Sequence, residues 1–134
     1  MEIYEITVIN LSTQNEQILT VEVDELEESE YIVIKSAFLG QEISVSDYNY
    51  LPAYQIFRNK LLQLGYGIKC NGSRLNAVQS GMMGATDKVY LVELGRQAVM
   101  KDIAHIWDYA DITEFFDTKQ QKEFFEQWTK SLVR

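Results

Sequence analysis

The sequence predicts an α+β fold: an antiparallel sheet built from hairpins and packed against two or three helices, in a single domain over residues 1–134. Three observations carry this reading. Apolar side chains recur every second residue through the first third, the period of a half-buried strand. After Asp47 the period lengthens to that of a helix, and further on Asn71-Gly72 separates two extended runs.

Taken in order, Tyr4-Glu5-Ile6-Thr7-Val8 and Leu19-Thr20-Val21-Glu22-Val23 alternate as strands, joined by the polar turn Ser12 to Glu16. Tyr31 to Lys35 is a third strand, which makes the acidic stretch before it the tip of a second hairpin. Ile43-Ser44-Val45 either extends the sheet or leads out of it. Pro52 suits the first turn of a helix, where its missing N–H costs nothing. Tyr54, Phe57, Leu61 and Leu64 then fall on one helical stripe, with Gly65 as terminator. Gly67 to Cys70 and Ser73 to Val78 flank Asn71-Gly72, whose tolerance of positive φ predicts a hairpin with a type I′ turn. Gln79 to Asp87 reads as a loop, and Val89 to Leu94 as a strand closed by Gly95. Val99, Ile103, Ile106, Trp107 and Ala110 form a helical stripe, or alternatively belong to a short strand plus turn. At the end, Asp117-Thr118 caps a helix whose inner face is Phe124, Phe125, Trp128 and Leu132.

Composition narrows the class. With 46% apolar residues in 134, the chain buries a real core and is too apolar for disorder. No apolar run reaches the roughly 20 residues that span a bilayer. Alternation from Glu2 onward, without a basic stretch before an apolar block, does not read as a secretion signal, so the cytoplasm is expected. A single cysteine excludes an internal disulfide.

The charge is uneven. Residues 1–50 carry eleven acids and one base, whereas residues 51–134 carry nine acids and eleven bases. Glu22, Asp24, Glu25, Glu27, Glu28 and Glu30 place six acids in nine residues. Such a field repels a phosphate backbone and attracts a basic protein, although a solvated turn is the plainer reading of the run itself.

Residues for catalysis are few. Cys70 and His105 are the only cysteine and histidine, and each is better explained as a packed or capping side chain than as half of a nucleophile pair. The inventory does not supply a zinc site. Ser80 to Gly84 lacks the lysine of a phosphate-binding loop, and Asp102, Asp108, Asp111, Glu114 and Asp117 lack the glycine turn of a calcium loop. No catalytic residue, cofactor or metal is therefore expected. Tyr48, Tyr50, Tyr54 and Tyr109 either fill core and rim or anchor a protein interface.

Residues 54–108 carry a further pattern: Phe57-Arg58, Leu61-Leu62, Gly65, Cys70-Asn71-Gly72-Ser73-Arg74, Ser80-Gly81-Met82, Tyr90, Gly95, Ala98 and Asp102. It resembles small bacterial immunity proteins of polymorphic toxin systems, among them contact-dependent inhibition and Rhs-type systems. The chain departs from that pattern at Val78-Gln79, where the family has Tyr-Pro, and in a shorter loop before the next strand. The resemblance implies a cytoplasmic protein that binds one cognate toxin domain and occludes its active site, without membrane or direct nucleic-acid binding. Carboxylates would then stand where substrate phosphates bind, on a toxin expected to be basic. Glu25, Glu27, Glu28 and Glu30 are the expected contact residues, with Asp108 and Asp111 as a second group. The alternatives are an acidic adaptor or nucleic-acid mimic of phage or plasmid origin, and an enzyme built on Cys70 and His105.

Overall fold

The alternation in the first third becomes four long strands in the computed structural model, which describes residues 1–26 and 31–133. β1 (Glu2–Asn10), β2 (Glu16–Leu26), β3 (Tyr31–Phe38) and β4 (Gln41–Asp47) form an antiparallel meander. β5 (Tyr66–Ile68) pairs with the free side of β1, giving the order β4-β3-β2-β1-β5. The acidic run is only partly a hairpin tip, because Glu22, Asp24 and Glu25 lie within β2. Glu27, Glu28 and Glu30 fall outside the described residues. At the β3–β4 turn, Leu39 and Gly40 adopt φ of +52° and +76°, the pair of positive values that a two-residue type I′ turn requires.

One face of this sheet is apolar, with Ile6, Val8, Val21, Ile34, Ile43 and Val45 all buried. α1 (Tyr50–Gln63) lies across it and inserts Tyr50, Tyr54, Phe57 and Leu61. Burial of a side chain such as Phe57 or Leu61 contributes about 2–3 kcal/mol. The helix ends as expected: Gly65 takes φ +90° and donates its N–H to the Leu62 carbonyl at 2.9 Å.

One sequence expectation fails in the next forty residues, and one open alternative is decided. Asn71-Gly72 does not close a hairpin, because β5 pairs with β1 while β6 (Ala77–Val78) pairs with β7 (Lys88–Leu91) in a second sheet. Asn71–Ser73 is instead a 3₁₀ turn, and Gly72 is not among the residues with positive φ. Gly72 is needed for space: a Cβ there would lie 2.8 Å from Ile106 Cγ2 and 2.9 Å from Tyr54 Cε2. Residues 99–110 take the second of their two readings, a short strand with turns. Met100–Asp102 makes one 3₁₀ turn and Ile103–His105 forms β8, which pairs with β7. Asp102 favours that turn by accepting the Val99 N–H at 3.0 Å and an Arg96 N–H at 3.1 Å. Trp107 then enters the core, stacked on Tyr4 at 5.5 Å and edge-on to Tyr54 at 5.1 Å.

α2 (Thr118–Ser131) starts where the sequence places it. Asp117 accepts the Gln120 N–H at 2.9 Å, and the Gln120 side chain accepts the Asp117 N–H at 3.0 Å. Its packed face differs from expectation. Phe124 and Trp128 are half-buried, Phe125 is exposed, and the one buried residue is Gln121. Among the described residues no helix is long and apolar enough to cross a membrane.

Candidate protein-binding surface

Residues of the Phe57-Arg58 and Cys70-to-Arg74 pattern, with Tyr54 and Gln121, form a buried polar framework. The Tyr54 hydroxyl, fully buried, bonds the Ser73 hydroxyl and lies 3.1 Å from Cys70 Sγ. Burial pushes both the Tyr54 hydroxyl and the Cys70 thiol up from their usual ranges, so both stay protonated and neutral at pH 7. Arg58, also buried, has no carboxylate partner among the described residues. Its Nη2 donates to Gln121 Oε1 at 2.7 Å, its Nε donates to Asn59 Oδ1 at 2.9 Å, and its Nη1 has no protein acceptor. Burial draws its basicity down accordingly. Gln121 completes the framework by donating to the carbonyls of Gly72 (2.9 Å) and Arg74 (2.8 Å), so one α2 side chain ties the 3₁₀ turn to α1.

On the rim, a single amide organises the 79–87 loop. Gln79 Nε2 faces the carbonyls of Met83, Thr86 and Lys88 at 3.2, 2.9 and 2.8 Å, while its Oε1 accepts the Leu51 N–H at 3.2 Å. Gly84 closes the loop onto α1 by accepting the Tyr50 N–H at 2.6 Å, and a Cβ there would lie 2.5 Å from Asn49 Oδ1. Held this way, the loop leaves Met82 97% exposed.

Two grooves meet at that loop, and Glu25 lines both. The first, of about 500 Å³, is bounded by Tyr31, Tyr48, Ile32 and Met82. Tyr31 and Tyr48 stack there at 4.3 Å, with Tyr48 60% exposed. The second, of about 390 Å³, is acidic: Glu2, Glu25 and Asp87 line it, opposed by Lys88. Its floor is rigid, because the buried Tyr50 hydroxyl accepts the Trp107 indole N–H at 2.8 Å. An acidic groove beside exposed aromatic and thioether side chains suits a lysine or arginine and its apolar neighbours.

Among the described residues, the two expected acidic groups stand apart. Glu25 is at the grooves, but Asp111 sits at the opposite end of β2, where it bonds Lys69 Nζ at 3.2 Å beside Glu16. Glu16 and Glu25 are nine strand positions apart, about 30 Å at 3.3 Å per residue. The bond to Asp111 raises the basicity of Lys69 and occupies that carboxylate within the chain. Asp108 is exposed near the same end, and its carbonyl accepts the Asn71 N–H at 3.0 Å.

His105 is not packed. Its ring is half exposed, with Nδ1 3.1 Å from Asp87 Oδ2, whereas Cys70 is buried. Among the described residues no three His, Cys, Asp or Glu side chains are grouped to hold a metal ion. Sequence reasoning missed Glu2, Asp87 and Gln79. Glu2 and Asp87 are isolated acids without a spacing signal, and Gln79 looks like any loop residue until its four partners are seen. Gln121 did leave a trace, as the polar residue on the stripe that continues through Phe124, Trp128 and Leu132. Compared with known proteins, the chain matches no protein-family model and no curated protein.

Proposed function

We propose that this chain is an immunity protein that binds a basic toxin domain in the cytoplasm and blocks its active site. One observation carries the reading: Glu2, Glu25 and Asp87 line one groove beside the exposed Tyr31–Tyr48 stack and Met82. Carboxylates at a protein surface speed encounter with a basic partner, and rigid aromatic anchors hold it. The resemblance in residues 54–108 supports the same class of function, and two of its residues, Gly81 and Met82, line the first groove.

The test begins with the tagged chain purified from cells that express its neighbouring genes. A stoichiometric basic domain, toxic alone and harmless when co-expressed, is the expected result. Glu25→Lys with Asp87→Lys should then weaken binding at least tenfold and flatten its salt dependence. A host protein in place of a toxin would favour the adaptor reading. Unchanged affinity in the double variant would remove the groove from the interface.

A further inference from the structure

The two edges of the five-stranded sheet differ. At β5 the chain just past the strand is tied down and the strand itself is covered by a side chain: Ala110 donates its N–H to the Lys69 carbonyl at 3.1 Å, Cys70 bridges Tyr109, and the Phe115 ring packs on Gly67. At β4, none of the backbone groups of Glu42, Ser44 and Ser46 bonds any other described segment.

Geometry determines which groups these are. A two-residue turn makes its flanking residues, Phe38 and Gln41, a hydrogen-bonded pair, and such pairs alternate along an antiparallel ladder. Ser36–Ile43, Ile34–Val45 and Ile32–Asp47 therefore face each other's backbone. Glu42, Ser44 and Ser46 direct their N–H and C=O groups outward. Proteins commonly guard such an edge with lysine, proline, a bulge or brevity. β4 has seven residues, Gln-Glu-Ile-Ser-Val-Ser-Asp, in unbroken register with β3, without lysine, proline or a bulge; its only charges, Glu42 and Asp47, repel an acidic strand and leave the edge open to a basic one.

We propose that β4 is a strand-addition site for an extended basic segment of the partner. This rests on the neutralising function above and names how the partner docks. Charge selects the occupant. Glu42 and Asp47 are on the edge strand itself, and Glu25 is at the grooves beyond Tyr48. The one base of residues 1–50, Lys35, stands in register between Glu22 of β2 and Ser44 of β4, so acids still outnumber it on this part of the sheet. A second copy of this chain would bring another net charge of −8 against that edge. Exposed apolar side chains stand at both ends of the edge, Leu39 (56% exposed) and Tyr48, about 25 Å apart along a strand of this length. A segment added here would run into the Tyr31–Tyr48 groove, so backbone pairing and side-chain capture form one surface.

The experiment uses an eight-residue synthetic peptide alternating lysine with valine, and a control with glutamate in place of each lysine. Amide exchange is followed residue by residue. The lysine peptide should slow exchange at Glu42, Ser44 and Ser46 severalfold, and the glutamate peptide should not. Ser44→Pro removes one outward N–H and none of the β3–β4 ladder, so it should weaken the lysine peptide at least tenfold. Should that variant not fold, Ser46→Lys guards the same edge from the open face and should also weaken binding. Unchanged exchange, equal binding by a folded edge variant, or equal binding of the glutamate peptide overturns the proposal. So does a concentration-dependent dimer of the free chain that Ser44→Pro abolishes, which would make the occupant a second copy. A toxin that binds without protecting those three amides overturns strand addition and leaves neutralisation standing, whereas absence of any basic partner overturns the neutralising reading itself.

Discussion

The edges of one sheet show how differently the same backbone is finished. β5 has three residues, and the segment from Tyr109 lays the Phe115 ring on it and is fastened just past its end by a backbone bond and an ion pair to Lys69. Gly67 is part of that cover, since a Cβ on it would sit 2.5 Å from the Phe115 ring. β4 is more than twice as long and has its core-facing Ile43 and Val45 buried, yet its outer backbone is bare. The covered edge is thus a packing problem. The bare one is solved only by solvent or by a partner.

The largest expected effect tests the cover. Gly67→Val forces the Phe115 ring away and should destabilise the fold by about 3 kcal/mol in urea unfolding. In combination with Phe115→Ala the two losses should be markedly less than additive, because one contact underlies both. Next comes the polar tie that follows the cover. Gln121→Leu removes the acceptor of Arg58 Nη2 and the donor to Gly72 and Arg74, for an expected loss of about 2 kcal/mol. Adding Arg58→Met should recover part of it, since the buried guanidinium would no longer lack that acceptor.

A smaller effect comes from the ion pair. Asp111→Asn should lower stability slightly at neutral pH. The bond to Asp111 raises Lys69 above its reference value of 10.5, so its contribution is fully present below that value and disappears as pH rises through the folded pKa. Wild type and variant should therefore keep a constant gap between pH 6 and 9, and converge in strongly alkaline solution. The smallest effect belongs to the bare edge: Ser44→Pro should change unfolding free energy by no more than about 1 kcal/mol. A large loss there would show that β4 is already engaged within the chain, and the contrast between the edges would disappear.

How much was legible follows from the range of each signal. The strands around Ile6 and Val21, the α1 stripe with its Gly65 stop and the Asp117 cap are all written within a few neighbouring residues. Asn71-Gly72 misled because two different needs favour the same dipeptide: a turn with positive φ, and a backbone so close to Ile106 and Tyr54 that a side chain cannot fit. The stripe from Val99 to Ala110 left a helix and a short strand both open because its apolar residues enter the core singly, from a short strand and the turns around it. Of the acidic site, Glu25 was legible from charge density, but its groove partners Glu2 and Asp87 arrive from segments 23 and 62 residues away.

By itself the sequence determined the periodicities, the helix stops and caps, and the charge imbalance between its first third and the rest, because each depends on neighbours along the chain. Tertiary structure alone decided which edge is covered and why Gly67 and Gly72 lack side chains. It also decided that Arg58 meets Gln121 rather than a carboxylate, and that Glu2, Glu25 and Asp87 share a groove. Those outcomes depend on distances between residues far apart in sequence, which no local pattern records.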